Sequence, residues 1–324
     1  MKIEHITRDS SRIPALEAFV NKHGLLFNSG AWTALYDGDQ LCRCAILNNN
    51  NEIIGCFVYY RFKKSIFQFV ISPPYTPHID LFCVNPAESV VGKNTFNKEL
   101  AEALSLYFSS LKTHYMSLNL PTGLTDTQPF IWAGFNSRTR FTYVIDLQQS
   151  ESQLWDNLAS EKRKSINKAQ KDGLEISETQ QYDVVYDLVL QSLDRNDKAK
   201  NTGILKEILF KYATPSNAFA FVARKDKQAI GATFCLVYKH TALYLFGGFN
   251  AANAHHGASV SCMWQSILKA KQMGLRSFDF EGSMNESIER YFREFGGTLT
   301  PYFCVEKMHP LMSTYFAIRK NKPV

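Results

Sequence analysis

The same order of strand-like and helix-like segments occurs twice along the 324 residues, although the residues themselves are little alike. In the first half, three strand-like runs (LCRCAIL, IIGCFVYY and SIFQFVI) precede the loop SPPYTPHID, a helix over residues 94–111 and the strand YMSLNL. A polar stretch and the strand RFTYVIDL close this half. In the second half, AFAFVA, AIGATFCLVY and ALYLFGGF precede a loop, a helix that ends at Gly274 and the strand SFDF. A short helix and the strand PYFCVEK follow, so the order predicts two domains of one architecture.

Each half predicts a mixed, mostly antiparallel sheet. Short polar connections such as NNNNE and RFKK join the three strand-like runs as hairpins. The long helix then returns the chain by a right-handed crossover, which places the next strand parallel to the third. A cleft opens where the two parallel strands part. The expected fold class is α+β, with two tandem domains of mixed sheet and flanking helices over residues 1–149 and 150–324.

The composition is that of globular domains with sizeable cores, since 45% of the residues are hydrophobic and 20% are charged. The seven cysteines are scattered and form no Cys-x-x-Cys pair, which indicates reduced core residues. His255 and His256 have no carboxylate or thiolate at ligand spacing, so we expect neither a metal nor a redox cofactor. No apolar run approaches the ~20 residues that cross a bilayer. We expect a cytoplasmic protein without a transmembrane segment, for which peripheral membrane contact stays open.

The net charge of +6 is a mild excess that favours anionic partners. Its sharpest local cluster is the segment SQLWDNLASEKRKSINKAQKDG, where apolar residues recur at helical spacing and basic residues crowd one half. Two interpretations stay open. The segment is either a solvated basic helix face or a face that binds phosphate or RNA.

The stretch FDFEGSMNESIERYFREFGG places two acids at the end of a strand. Alternation sends Phe278 and Phe280 to one face and Asp279 to the other, and Glu281 leads out of the strand. A carboxylate at the open end of a strand can act as a general base that takes a proton from a reacting group. Glu281 is the first candidate for that base. Asp279 either shares this chemistry or fixes the sheet through hydrogen bonds, and the sequence does not separate the two.

The helix that follows also has an ordinary structural explanation. Ser283 and Glu286 are spaced as a capping box, which makes Ser283 a structural residue rather than a nucleophile. Glu286 with Arg290, and Glu289 with Arg293, have the favourable i to i+4 order, worth ~0.2–0.5 kcal/mol for each exposed pair.

At LYLFGG, at the helix ending AKQMG and at FDFEGS…YFREFGG, the chain resembles the Fem-type peptidoglycan aminoacyltransferases, a branch of the GNAT-like acyltransferase fold. The resemblance covers nearly the whole chain. The basic segment resembles the one that opens the family's second domain, and PPYTP, which contains Tyr75, resembles its first-domain cleft loop. The resemblance implies two tandem GNAT-like domains. It also implies transfer of an acyl or aminoacyl group, in this family from a charged transfer RNA, to an amine of a peptidoglycan precursor.

The resemblance also implies site residues. Phe292 and Arg293 fall where the family has Phe-Lys, whose cation is proposed to stabilise the reacting carbonyl. An arginine keeps the charge but spreads it over a planar fork. The residues that the resemblance implies for substrate binding are Tyr244, Arg195, Arg163, Gly247, Gly248 and Tyr75.

The sequence departs from the family at Ala34, where a Lys commonly follows the Trp that matches Trp32. The phosphate-binding turn of acyl-CoA enzymes is matched at AHHGAS only by Gly257. The donor is therefore left open between an aminoacyl-tRNA and an acyl-CoA or carrier-protein thioester. A binding member of the family without turnover is the non-enzyme alternative. We expect the second domain to hold the active site and the first to bind and scaffold.

Overall fold

The computed structural model describes residues 1–36, 38–194 and 202–312. The chain divides into two compact units. Unit 1 comprises Met1–Arg140 together with the described residues from Pro301 on, and unit 2 comprises Phe141–Thr300. No helix among the described residues combines the length and the hydropathy that a bilayer-spanning helix requires.

The first part of the chain alternates strands and helices in the predicted order. The strands are β1 (Lys2–Ile6), β2 (Leu41–Leu47), β3 (Ile53–Lys64), β4 (Phe67–Ile71), β5 (Phe82–Cys83), β6 (Tyr115–Asn119) and β7 (Asn136–Asp146). The helices are α1 (Ile13–His23), α2 (Gly30–Thr33), α3 (Val90–Ser110) and α4 (Gln128–Trp132), with a 3₁₀ turn at Leu26–Asn28.

The second part repeats this order after two additional helices. Its helices are α5 (Glu151–Asp156), α6 (Ser160–Lys171), α7 (Tyr182–Asp194), α8 (Thr202–Glu207), α9 (Ala258–Gln272) and α10 (Glu286–Arg293), with a π-helical turn at Ile208–Tyr212. Its strands are β8 (Glu175–Thr179), β9 (Ala218–Lys225), β10 (Gln228–Tyr238), β11 (Thr241–Phe249), β12 (Ser277–Asp279) and β13 (Thr298–Met308).

In unit 1 the sheet is antiparallel from β1 to β4, and β4 then pairs in parallel with β6 over Phe69–Ile71. Beyond this pairing the loop after β4 fills the gap between the parallel strands. The backbone N–H of Ile79 donates to Asn119 O at 3.0 Å, and the N–H of Val58 donates to Ile79 O at 2.8 Å. The chain itself therefore occupies the place where the parallel strands of unit 1 part.

In unit 2 the strand order is β8, β9, β10, β11, β12 and β7. All neighbours are antiparallel except β11 and β12, which pair in parallel over Thr241–Leu243 and Ser277–Asp279. Strand β11 continues to Phe249, whereas β12 ends at Asp279. The two strands therefore part beyond Leu243 and Asp279, and this opening is the strand gap of unit 2. The predicted mixed sheets, each with one parallel pair after a crossover helix, are confirmed.

The last strand of each sequence half pairs with a strand of the other half. Val144–Asp146 of β7 pair with β12, and Cys304–Met308 of β13 pair with β6. The observed division therefore differs from the expected boundary between residues 149 and 150, because hydrogen bonds, and not chain order, decide where the two last strands belong. The roles expected of the two domains stay predictions.

Candidate active site at the strand gap of unit 2

Aromatic side chains form a wall where β11 and β12 part. The rings of Phe280 and Phe292 are stacked with centroids 4.8 Å apart, and the ring of Tyr244 lies 5.8 Å from that of Phe292. Phe278 and Phe280 are buried in the core, as the alternation predicts. The β10–β11 register shifts between Phe234 and Cys235, opposite Tyr244, and such a bulge redirects side chains beside a site. Burial raises the pKa of Tyr244, so its hydroxyl stays protonated.

Asp279 holds the turn that follows β12. Its Oδ1 accepts hydrogen bonds from Thr142 Oγ1 at 2.6 Å and from the backbone N–H of Glu281 at 2.8 Å. Burial raises the pKa of Asp279, although both hydrogen bonds act in the opposite direction. A carboxylate engaged in this way fixes geometry, so the structure favours the structural one of the two interpretations of Asp279.

Glu281 has the geometry of a proton acceptor. Its φ of 64° lies in the left-handed region and Gly282 follows with φ 141°, a backbone that costs a non-glycine residue ~1–3 kcal/mol. Glu281 is half-buried, so part of the residue is accessible at the turn. Desolvation by burial, and then the nearby charge of Asp279, raise the pKa of Glu281 well above its ordinary value. Within the described part of the chain, its carboxylate makes no hydrogen bond. A base with a raised pKa is better matched to proton transfer near neutrality.

Helix α10, which follows this turn along the chain, carries Arg293 in its last turn. The Arg293 side chain is 59% exposed, and its Nε lies 3.1 Å from Glu289 Oε1, as the i to i+4 spacing predicts. The same oxygen accepts a hydrogen bond from the hydroxyl of Tyr143 at 2.6 Å. The sequence did not identify Tyr143 because its partner is 146 residues away along the chain. Only the alternation of RFTYVIDL could have marked it as a residue that faces inward.

Two details of α10 differ from the sequence expectation. The helix begins at Glu286, and the Ser283 hydroxyl donates to Phe141 O at 3.1 Å instead of capping the helix. Arg290 pairs with Glu294 at 2.8 Å and, among the described residues, forms no ion pair with Glu286. Both predictions were wrong because a preceding strand and a following carboxylate compete with the local partners. Phe292 is buried and belongs to the aromatic wall, so it packs α10 against the other rings of that wall.

A pocket of about 310 Å³ lies beside α10. Its lining residues come from β7, from the turn after β12, from α10 and from the start of β13: Phe141, Tyr143, Ser283, Met284, Glu286, Glu289 and Leu299. Met284 and Leu299 are exposed although they are apolar. The hydrogen bond between Tyr143 and Glu289 therefore joins two residues of a surface that a small molecule can reach.

The two glycines of LYLFGG make close approaches within unit 2. A Cβ on Gly248 would overlap the backbone of Leu188 and Val189 in α7. A Cβ on Gly247 would overlap the hydroxyl of Tyr244. Packing explains the glycine at position 248, and room for the Tyr244 side chain explains the one at 247. Their substrate-binding roles stay predictions.

The basic segment is occupied by internal contacts. Arg163 donates through Nη1 to the carbonyl oxygens of Trp155, Asp156 and Leu158 at 3.3, 2.8 and 2.9 Å, so it closes the end of α5. Lys164 and Lys168 pair with acidic residues of the same segment, Glu161 at 2.9 Å and Asp172 at 3.5 Å. These contacts give the predicted binding residue Arg163 a structural function and favour the structural interpretation of the segment.

Lys162 is a buried basic residue of this segment. Its Nζ lies 3.4 Å from Glu294 Oε2 and 3.8 Å from the centroid of the Tyr291 ring. Burial lowers the pKa of Lys162, and the attraction of Glu294 partly offsets that effect. Through this ion pair and this cation–π contact, Lys162 holds α6 against the C-terminal end of α10.

Two predicted binding residues are not among the described residues of unit 2. Tyr75 belongs to unit 1, where it adopts φ 57° in the loop after β4. Arg195 lies outside the described residues.

The start of α9 corresponds to the phosphate-binding turn considered from the sequence. The N–H of Gly257 donates to His255 Nδ1 at 3.0 Å, and the N–H of Ala258 donates to His255 O at 3.0 Å. A Cβ on Gly257 would overlap Ser165 O of α6. Two of the backbone donors that would face a pyrophosphate are therefore already paired, and α6 approaches this helix end closely.

Comparisons with known proteins agree with this architecture. Residues 158–293 match the family model of the acetyltransferase (GNAT) domain. The chain is similar to the crystal structure of FemX, with 12% identity, a TM-score of 0.64, and coverage of 99% of this chain and 100% of that one. It is also similar to L-PGS from Bacillus licheniformis, with 10% identity, a TM-score of 0.56, and coverage of 95% and 96%. A tandem GNAT protein from the clavulanic acid biosynthesis pathway matches with 10% identity, a TM-score of 0.51, and coverage of 94% and 98%.

A search of curated protein sequences finds no significant match. At identities of 10–12% the structural likeness establishes the fold, and it confirms the prediction of a GNAT-like fold.

Proposed function

We propose, from the GNAT acetyltransferase domain that residues 158–293 form, that unit 2 transfers an acyl or aminoacyl group to an amine. The observation that carries this proposal is Glu281, a carboxylate with a raised pKa and no hydrogen-bond partner among the described residues, at the end of β12 where the parallel strands part. An amine must be neutral to attack, and a positioned carboxylate with a raised pKa takes its proton.

In the proposed reaction the amine nitrogen bonds to the carbonyl carbon of the donor, and its proton passes to ionised Glu281. The tetrahedral intermediate collapses as the bond to the leaving oxygen or sulfur breaks and the proton held by Glu281 passes to that atom. The products are an amide and the released alcohol or thiol, and Glu281 is ionised again. Arg293 supplies positive charge where the oxyanion develops. The turn held by Asp279 keeps Glu281 in place while the proton moves.

Unit 1 has a binding role in this proposal. The gap between β4 and β6 is filled by the loop around Ile79, so no acyl arm can enter between these strands. In unit 2 the pairing of β11 and β12 simply ends at Leu243 and Asp279. That difference supports the proposal that unit 2 carries the chemistry and unit 1 has a binding role.

We favour an aminoacyl-tRNA as the donor and an amine of a cell-envelope precursor as the acceptor. The fold likeness to FemX supports this choice. The hydrogen bonds that His255 accepts at the start of α9 oppose the binding of a CoA pyrophosphate there. An acyl-CoA or carrier-protein thioester is the alternative donor, and no metal or redox cofactor takes part in this scheme.

The melting temperature measured with each ligand tests the proposal. The ligands are CoA, acetyl-CoA, a long-chain acyl-CoA, a non-hydrolysable aminoacyl-tRNA analogue and a UDP-linked muropeptide. A ligand at about 100 times its Kd stabilises the native state by about 2.7 kcal/mol, which raises the melting temperature visibly. Shifts with the analogue and the muropeptide support the favoured donor and acceptor. A rise in melting temperature with CoA species alone would identify an acyl-CoA, and not an aminoacyl-tRNA, as the donor. If no ligand raises the melting temperature, the proposal is contradicted.

Replacing Arg293 by alanine is expected to lower kcat more than tenfold, because a charge that stabilises the oxyanion is worth about 10²-fold or more in rate. The melting temperature should change little, because the exposed pair with Glu289 contributes only ~0.2–0.5 kcal/mol. Steady-state kinetics and thermal melts measure both quantities. Arg290→Ala is the matched control on the same helix, since Arg290 pairs with Glu294. Equal rates for the two variants would remove Arg293 from the mechanism.

A further inference from the structure

Tyr143 contacts both halves of the proposed reaction centre. Its backbone carbonyl accepts a hydrogen bond from the N–H of Phe280 at 3.1 Å, next to Glu281. Its hydroxyl donates to Glu289 Oε1 at 2.6 Å, and that oxygen lies 3.1 Å from Arg293 Nε. One residue of β7 is therefore linked to the turn that carries the base and to the carboxylate that holds the cation.

The hydrogen bond from Tyr143 restricts the movement of Glu289 in its ion pair with Arg293. An exposed i to i+4 ion pair is weak and leaves two long side chains free to reorient. Tyr143 is only 5% exposed, and its strand is fixed by the pairing of Val144 with Asp279. A hydrogen bond from a side chain held in this way restricts Glu289 to one orientation. The guanidinium of Arg293 then has a fixed partner instead of a mobile one.

The titration of Tyr143 is consistent with a permanent donor. Desolvation by burial, and then the hydrogen bond to Glu289, raise the pKa of Tyr143. The hydroxyl therefore keeps its proton throughout the neutral pH range. Tyr143 and Glu289 also line the 310 Å³ pocket, so the geometry they impose lies at an accessible surface.

We infer that Tyr143 is a positioning residue that, through Glu289, holds the Arg293 guanidinium in a fixed place relative to Glu281. This inference rests on the proposed function, because it assigns the positioning to the same reaction. It gives Tyr143 no contact with the reacting atoms. The effect of Tyr143 on the rate must therefore pass through Arg293.

A double-mutant cycle tests this dependence. Tyr143→Phe keeps the ring and removes the hydroxyl, and we expect kcat to fall about fivefold with the KM for the donor unchanged, as for loss of an interaction made in the transition state. In the Arg293→Ala background the same change should have no further effect, because coupled residues are not additive. Independent multiplication of the two losses would overturn the inference, and so would an unchanged kcat for Tyr143→Phe.

A second measurement needs no substrate. In the ¹H–¹⁵N NMR spectrum, the Nε–H of Arg293, assigned by its loss in Arg293→Lys, should exchange slowly with water in the wild type and faster in Tyr143→Phe. Tyr182→Phe is the matched control, since the buried Tyr182 hydroxyl has no hydrogen-bond partner in the described structure. Equal exchange in the wild type and Tyr143→Phe would overturn the positioning role. Absent turnover with altered exchange would instead refute the proposed function alone.

Discussion

Replacing Glu281 by glutamine is expected to lower kcat by about 10²–10³-fold, within the range that positioned general bases contribute. Glutamine keeps the size of the side chain and the backbone N–H that donates to Asp279, but it cannot take a proton. The loss should therefore appear in kcat with little change in donor affinity. Glu175→Gln, an exposed change on β8, is the matched control and should leave the rate unaltered.

The pH dependence of the rate separates a base from a structural carboxylate. Because the pKa of Glu281 is raised well above its ordinary value, the wild-type kcat/KM should rise with pH as this carboxyl ionises. The Glu281→Gln protein should lack that rise. A pH profile of both proteins with one donor and one acceptor measures the difference. The same rising limb in Glu281→Gln would assign the titration to another group.

The same substitution should stabilise the protein in a pH-dependent way. A raised pKa in the folded state means that the folded protein holds a proton that the unfolded chain has lost, so stability falls as pH rises from about 4.5 through the folded pKa. Glutamine has no such dependence. The melting temperature of Glu281→Gln should therefore exceed that of the wild type by a margin that grows with pH and levels off above the folded pKa.

Replacing Gly248 by alanine should destabilise the protein by about 3 kcal/mol, the upper range for inserting an atom into a packed core. The new Cβ would overlap the backbone of Leu188 and Val189, which cannot move unless α7 separates from β11. We expect the melting temperature to fall by about 5–10 °C, since each kcal/mol moves it by a few degrees at this size. Thermal melts measure the shift.

Gly203→Ala in α8 is the matched control, because a Cβ there meets no atom within 4 Å. It should be neutral or slightly stabilising, since alanine is a better helix former than glycine. Equal melting temperatures for the two variants would contradict the close approach of α7 to β11. A stable Gly248→Ala protein that no longer binds donor would support the substrate-binding role that the sequence resemblance implies.

The sequence was sufficient for the elements and for one parallel pair in each sheet, because these depend on local patterns. Hairpin spacing fixed the antiparallel strands, and the crossover helix fixed the direction of β6 and β12. The strands with which β7 and β13 pair could not be predicted. Nothing in the alternation of β7 or β13 records which parallel strand each one joins, so the boundary between the two units could not be read from the chain.

The candidate site was predictable to the same extent. Glu281 and Asp279 stood out because both lie at the end of a short strand before a glycine. Thr142, which fixes Asp279, and Tyr143, which fixes Glu289, were missed because they lie 137 and 146 residues away from these partners. The basic segment could not be interpreted because its partners include backbone carbonyls, which leave no signature in sequence.

The central claim is that unit 2 joins an acyl group to an amine and that Glu281 takes the proton. Mass spectrometry of the acceptor after incubation with aminoacyl-tRNA or acyl-CoA donors, with wild-type and Glu281→Gln protein side by side, tests it most directly. The account predicts an acceptor that gains one acyl group as an amide, formed about 10²-fold more slowly by Glu281→Gln. No amide product from any donor, or equal rates for the two proteins, would contradict it.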